Sequence, residues 1–266
     1  MLRFPTGSFS VRLLALALLM GLLSGCVTTK NSPFPEADRA KAQETYLDLA
    51  VAYLEEEDTA NAKEAVKKAL KLDDRNPRVY TTLAHLFQYE GEDALAEAQF
   101  KKAIRLDPKY PPARNNYGVF LIRKGRYAEA LEQLEVVAES PLYERRHMAY
   151  ENMGIAATEL GQTSDAVQYF EKALQLNDAL PRSMLELASL QLQQGDAATA
   201  QALLDRYRLL IRLRRAQHTP GSLLLGVRIA EALQDGDGAA SQALLLKELF
   251  PDSDEYRQYR ANRSAE

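Results

Sequence analysis

Apolar residues recur along most of the chain at intervals of three and four, in blocks that restart at a fixed distance. The block over residues 77–110, PRVYTTLAHLFQYEGEDALAEAQFKKAIRLDPKY, shows the pattern most clearly. Leu83 and Phe87 stand four apart and so share a helical face; Phe100 and Ala103 share a second one. Two helices are predicted, joined at Gly91, where the chain can turn through positive φ. Ala84 on the first helix and Ala96 on the second are small, so the two backbones can approach closely. Asp107-Pro108 ends the second helix, because proline restricts its predecessor and cannot continue the hydrogen-bond ladder. Such an antiparallel pair cannot bury its apolar faces alone and needs neighbours.

The neighbours are present. Residues 43–76 carry Leu49, Ala50, Tyr53, Ala62, Val66 and Ala69, with Glu57 where the turn glycine is expected, inside the acidic run Glu55-Glu56-Glu57-Asp58. Residues 36–42 read as the start of that first helix, and Asn76-Pro77 as an N-cap followed by a first-turn proline. Residues 111–144 carry Tyr117, Gly118, Leu121, Gly125, Ala130, Leu134 and Val137. The next block, 147–180, starts two residues late, after an insertion around 140–143, and carries Met153, Gly154, Ala157, Gly161, Ala166, Phe170 and Ala173. Residues 181–214 carry Leu187, Ala188, Gly195, Ala200 and Leu204, with a second helix predicted to run on through Arg215. Residues 220–251 form a degenerate sixth block whose turn is predicted to be shifted to Asp235-Gly236-Asp237-Gly238, and residues 252–266 a polar tail that frays. A period of 34 residues with small and large residues at these positions resembles the tetratricopeptide repeat (TPR). The resemblance implies an all-α fold: a right-handed superhelical TPR solenoid of about six helix pairs over residues 37–251, with an extended concave surface.

The amino end has a different pattern. Arg3 precedes, and Arg12 lies at the start of, an otherwise apolar run over residues 11–23, 13 residues long, which is short for a membrane span and right for a signal-peptide core. Leu23-Ser24-Gly25-Cys26 follows and resembles a bacterial lipoprotein signal, cleaved between Gly25 and Cys26, with diacylglycerol and an N-acyl chain on Cys26. Cys26 is the one cysteine of the chain, so it has no internal disulfide partner, and lipidation accounts for a thiol that would otherwise stay reactive. More than one acyl chain gives stable anchoring. Val27 stands where enterobacterial lipoproteins retained in the inner membrane carry Asp, so the resemblance implies the outer membrane, periplasmic side. Residues 26–36 read as a lipidated tether, whose polar stretch over residues 27–35 reaches about 30 Å at most. Loss of residues 1–25 removes two arginines and no acid, lowering the formal net charge from −4 to −6.

That charge gives no sign of a nucleic-acid partner. His85, His147 and His218 show no zinc-helix spacing, and no phosphate-cradling or nucleophile-elbow motif occurs. Sequence motifs thus offer no catalytic residue, no metal, no cofactor beyond the lipid and no small-molecule substrate. Arg206, Arg208, Arg212, Arg214 and Arg215 are interleaved with Leu209, Leu210, Ile211 and Leu213. Cations near a helix C-terminus complement its dipole; contact with anionic lipid or an acidic partner is the alternative.

Ligands of TPR arrays lie along the concave face, lined by the first helix of each pair. By register its outward positions are Leu47, Val51, Thr81, His85, Asn115, Val119, Ile122, Glu151, Ile155, Leu185 and Ser189. Val119, Ile122, Ile155 and Leu185 would form an apolar strip rimmed by amides, a feature of interaction sites; packing between repeats would use the same residues equally well.

The segments Asn115-Asn116-Tyr117-Gly118-Val119-Phe120-Leu121, Pro141-Leu142-Tyr143, Asn152-Met153-Gly154, the run LGVRIA over 225–230 and Phe250-Pro251-Asp252-Ser253 resemble the type IV pilus biogenesis lipoproteins of the PilF/PilW family. So does the order of lipoprotein signal, short tether and about six repeats. The resemblance implies a pilotin: an outer-membrane lipoprotein, not an enzyme, that binds subunits of the pilus secretin, localises them and promotes their multimerisation. A generic outer-membrane TPR scaffold for peptidoglycan or outer-membrane protein machinery fits the length and lipoprotein signal equally well.

Overall fold

The computed structural model of the chain describes residues 36–263. The signal peptide, Gly25, Cys26 and the tether up to residue 35 lie outside the described residues. The chain divides into two compact units, residues 1–41 and 42–266; of the first, only the start of the opening helix is described.

The regular elements of the described residues are all helices, with no strand among them. Six pairs follow in order: α1 (Glu36–Glu55) with α2 (Thr59–Leu72), α3 (Pro77–Tyr89) with α4 (Asp93–Leu106), α5 (Pro111–Arg123) with α6 (Tyr127–Ala138), α7 (Arg146–Glu159) with α8 (Thr163–Leu176), α9 (Pro181–Gln193) with α10 (Ala197–Arg212), and α11 (Pro220–Ala232) with α12 (Gly236–Leu249). A last helix, α13 (Asp254–Arg263), follows.

Local chemistry sets the boundaries. α3, α5, α9 and α11 open with proline in the first turn, where a missing N–H costs nothing. Asp58, Asn76, Asp196 and Asp235 accept backbone N–H groups as N-caps, and Thr219 with Ser222 forms a reciprocal capping box. The first helix of each pair ends on a left-handed residue: Glu57, Gly91, Gly125, Gly161, Gly195 or Gln234. In each case the following N–H reaches back to close the last turn, as Glu92 N does to Phe87 O at 2.8 Å and Asp235 N to Ala230 O at 2.9 Å.

Three boundary expectations are corrected here. The sixth turn sits at Gln234, in step with a block that starts at Pro220, as Gly195 is with Pro181. Gly236 and Gly238 are the first turn of α12, and Asp235 is its cap rather than part of a shifted turn. α10 runs to Arg212, and Arg214 is left-handed at φ 57°, so Arg215 leaves the helix and shares no face with Arg208 and Arg212. Nor do residues 254–263 fray: they form α13, whose Tyr256 and Tyr259 lie against the cluster of Leu223, Leu224 and Leu246. The sequence signal was hidden by charge, because only those two tyrosines face inward among ten mostly polar residues.

The core runs along the stack as successive clusters. Phe100, Phe120 and Phe170 are fully buried within it; a fully buried phenylalanine contributes about 1.5–3 kcal/mol. The first helices α3, α5, α7, α9 and α11 each touch the next in the series, whereas the second helices from α4 to α12 do not touch one another. The first helices therefore lie on the tighter, inner side of the array and line its concave face. α13 touches α11 and α12 as the first helix of a further repeat would, and so covers the end of the stack.

Candidate partner groove

The concave face is built from α3, α5, α7 and α9. His85 on α3 is half-buried, edge-on to the Phe100 ring at 5.8 Å between centroids. Its Nε2 lies 3.0 Å from Asn116 Nδ2 on α5, which makes Nε2 the acceptor. Burial pushes the His85 imidazole below its ordinary value, so the neutral ring this bond needs is the one present at neutral pH. Asn115 Nδ2 approaches Asn116 Oδ1 at 3.5 Å, and Asn115 Oδ1 accepts from Asn152 Nδ2 on α7 at 3.4 Å. Glu151 Oε2 accepts from the Ser183 N–H on α9 at 3.2 Å and from its hydroxyl. A line of polar contacts thus crosses four successive first helices and fixes their spacing.

Against this line opens a recess of about 260 Å³, lined by His85, Gln88, Tyr89, Asn116, Val119 and Arg123. No carboxylate lines it, and Arg123 is its one charged residue. Tyr89 and Arg123 are exposed, so the recess offers an aromatic face, amide donors and a guanidinium to a chain lying in the groove.

Of the residues assigned by register, His85 and Val119 line the recess, and Val51 is exposed on α1. Four assignments are corrected, because Leu47, Thr81, Asn115 and Ile155 are buried. Leu47 is wholly buried with Ala50, Ala65 and Val66, because α2 and α3 close over that side of α1. Asn115 and Ile155 are buried between helices, Asn115 in the polar line and Ile155 in the core. Ile122 and Leu185 are half-buried and pack against the core, Ile122 bridging two clusters. The apolar strip therefore does not form as a whole: Ile122, Ile155 and Leu185 pack between repeats, the alternative the sequence left equally open, while Val119 lines the recess. Asn116 and Arg123 were missed because they stand one position on from Asn115 and Ile122, and Gln88 and Tyr89 because the face on α3 was not carried past His85. The signal was available: 85, 88 and 89, and 116, 119 and 123, follow helical three- and four-residue spacing.

Helix pairs in a single file, with an open inner face, define a tetratricopeptide-repeat protein. The tetratricopeptide repeat profile matches residues 36–215, and the chain belongs to that family. It is 34% identical over 256 residues to the type IV pilus assembly protein PilF of Pseudomonas aeruginosa, covering 96% of this chain and 100% of PilF. The solved PilF structure matches with a TM-score of 0.78, over 85% of this chain and 99% of that one. PilW, described as a widely conserved type IV pilus biogenesis factor, matches at 27% identity with a TM-score of 0.71, over 82% of this chain and 97% of PilW. Within the repeat family, the chain is a member of the PilF/PilW group.

Proposed function

We propose that the chain is an outer-membrane lipoprotein that serves type IV pilus biogenesis as a pilotin. It binds secretin subunits, holds them at the outer membrane and promotes their multimerisation, without catalysis of its own. The observation that carries this reading is identity with PilF along its full length, 34% over 256 residues. Leu23-Ser24-Gly25-Cys26 supports the anchor, and the open inner face with its recess supports capture of a polypeptide segment. Acyl chains on Cys26 confine the groove to one membrane face, which raises the effective concentration of captured secretin there.

The test is Cys26→Ala in the native host. The variant should fold, leave the outer-membrane fraction, and leave secretin rings scarce or misplaced in fractionated membranes. A secretin ring of normal amount and location would falsify the pilotin reading. Crosslinked capture of mainly peptidoglycan or outer-membrane assembly proteins would point instead to a general scaffold.

A further inference from the structure

The end of α10 carries a surface that the groove does not use. Over residues 206–230 the chain has six arginines (206, 208, 212, 214, 215 and 228) and no aspartate or glutamate, in a protein of net charge −4. If the cations served only the helix dipole, the leucines among them would face inward. Leu203, Leu204, Tyr207 and Leu210 do, and are buried. Leu209 and Leu213 do not: they stand four apart on the outer face and are 46% and 55% exposed. Arg212 is exposed beside them, and the left-handed residue Arg214 ends the helix so that Arg214 and Arg215 stand exposed beyond its last turn. Arg206 lies on the other side of Leu209 and reaches the Asp178 carbonyl at 3.5 Å. Acids border the patch on its Arg206 side: Asp205, which is occupied by Arg208 at 2.8 Å and Gln201 at 2.9 Å, and Glu171, which lines a recess together with Arg206. None of Arg206, Arg212, Arg214 and Arg215 makes an ion pair among the described residues.

We infer that this surface is a peripheral membrane contact, docking on anionic phospholipid headgroups. Charge complementarity selects an anionic surface. The two outward leucines between the arginines select a lipid bilayer over an acidic polypeptide, because they enter the acyl boundary while the guanidinium groups stay at the phosphates. No described helix is long and apolar enough to cross a membrane, so the contact is interfacial. It is independent of the concave recess and of the pilotin reading.

The test uses the unlipidated chain 27–266, which retains all the described core. Flotation with vesicles of phosphatidylcholine, with and without about one-third phosphatidylglycerol, reads the partitioning. Anionic vesicles should bind at low salt and release as ionic strength rises; neutral vesicles should bind little. The triple variant R212Q/R214Q/R215Q should lower partitioning about a hundredfold, at roughly fivefold per arginine. L209S/L213S should lower it about tenfold while keeping the salt dependence. Far-UV circular dichroism confirms that each variant keeps its helices, and all five positions are exposed. Equal binding to neutral vesicles, no binding to anionic vesicles, or wild-type binding by the triple variant overturns the inference. So does capture of poly-glutamate with no vesicle binding, which would assign the surface to an acidic protein.

Discussion

Gly154 on α7 faces the Phe170 ring on α8 so closely that a Cβ at Gly154 would lie 2.6 Å from Cε1. Gly118 and Leu134 stand in the same relation in the preceding pair, with Leu134 Cγ at 2.7 Å. Both large side chains are fully buried, so neither can swing away. Gly154→Ala should destabilise the array by about 1–3 kcal/mol through overpacking, seen as a lower melting temperature. Ala130→Leu, at a fully buried contact of α6, should act in the same direction. An unshifted melt for both would show that the paired helices are not in close contact.

The left-handed turns give a signed comparison. Gly125 has φ 71° with open space around its missing Cβ, so Gly125→Ala tests backbone strain alone and should cost about 1 kcal/mol. Gln234 holds the same conformation at φ 59° with a side chain. Gln234→Gly should therefore raise the melting temperature slightly, by relief of about 0.5–1 kcal/mol of strain after the entropy of the added glycine is counted. Opposite shifts in the two variants are the expected result.

Acid should loosen the middle of the array. Glu97 on α4 accepts from Arg126 Nη1 at 2.8 Å and the Tyr117 hydroxyl at 2.8 Å, with Lys101 Nζ at 2.7 Å. Arg126 foremost, against some desolvation, holds the Glu97 carboxyl down at about 2, from an ordinary 4.5. A depressed carboxylate contributes stability that is complete above its unfolded value and lost as the proton binds. The contribution should thus fade between about pH 4.5 and pH 2. The caps Asp58 and Asp196 shift downward too, the first chiefly through the Asn61 N–H and the second chiefly through the Thr199 hydroxyl. Thermal melts across that range should show a smaller slope for Glu97→Gln than for wild type.

The repeat frame was legible because its marks are local. Gly91, Gly125, Gly161 and Gly195 announce turns, and small residues such as Ala84 and Ala96 announce helix contacts. Where a turn uses Glu57 or Gln234, the same backbone is made by a residue that carries no such mark, and Gly236-Asp237-Gly238 drew the turn to the wrong place. The groove was legible only to within one position. An inner face lined by helices that also touch each other has no sharp polar boundary, so Ile155 and Asn115 look like surface by spacing and are covered by the next repeat. Whether a leucine is inside depends on that neighbour, which periodicity on one helix does not contain.

The recess can be probed without disturbing the fold. Asn116→Ala removes the partner of His85 and Arg123→Glu reverses the one charge, and neither residue is buried. Both variants should melt within about 1 kcal/mol of wild type yet lose several-fold in crosslinked capture of the partner. Loss of capture in the reversal variant with rescue by Arg123→Lys would place charge, rather than shape, in control. Retained capture by both would move the partner contact elsewhere on the array.

α13 gives the last prediction. Repeat arrays expose an apolar face at each end unless something polar covers it. At this end the cover is thin: Tyr256 and Tyr259, stacked with ring centroids 6.4 Å apart, are the inward side chains of a helix that has no buried residue. Behind them lie Leu223 and Leu246, which are almost wholly inaccessible. Deleting residues 252–266 should leave α11 and α12 helical but expose that cluster. A local cost of about 2 kcal/mol follows from uncovering part of two aromatic contacts. Because each repeat leans on its neighbours, the loss should show as early hydrogen exchange confined to α11 and α12 rather than a drop across the chain. Tyr256→Ser with Tyr259→Ser should reproduce it at full length. If exchange in α11 and α12 were unchanged in both, α13 would be an appendage and the stack would end on α12 itself.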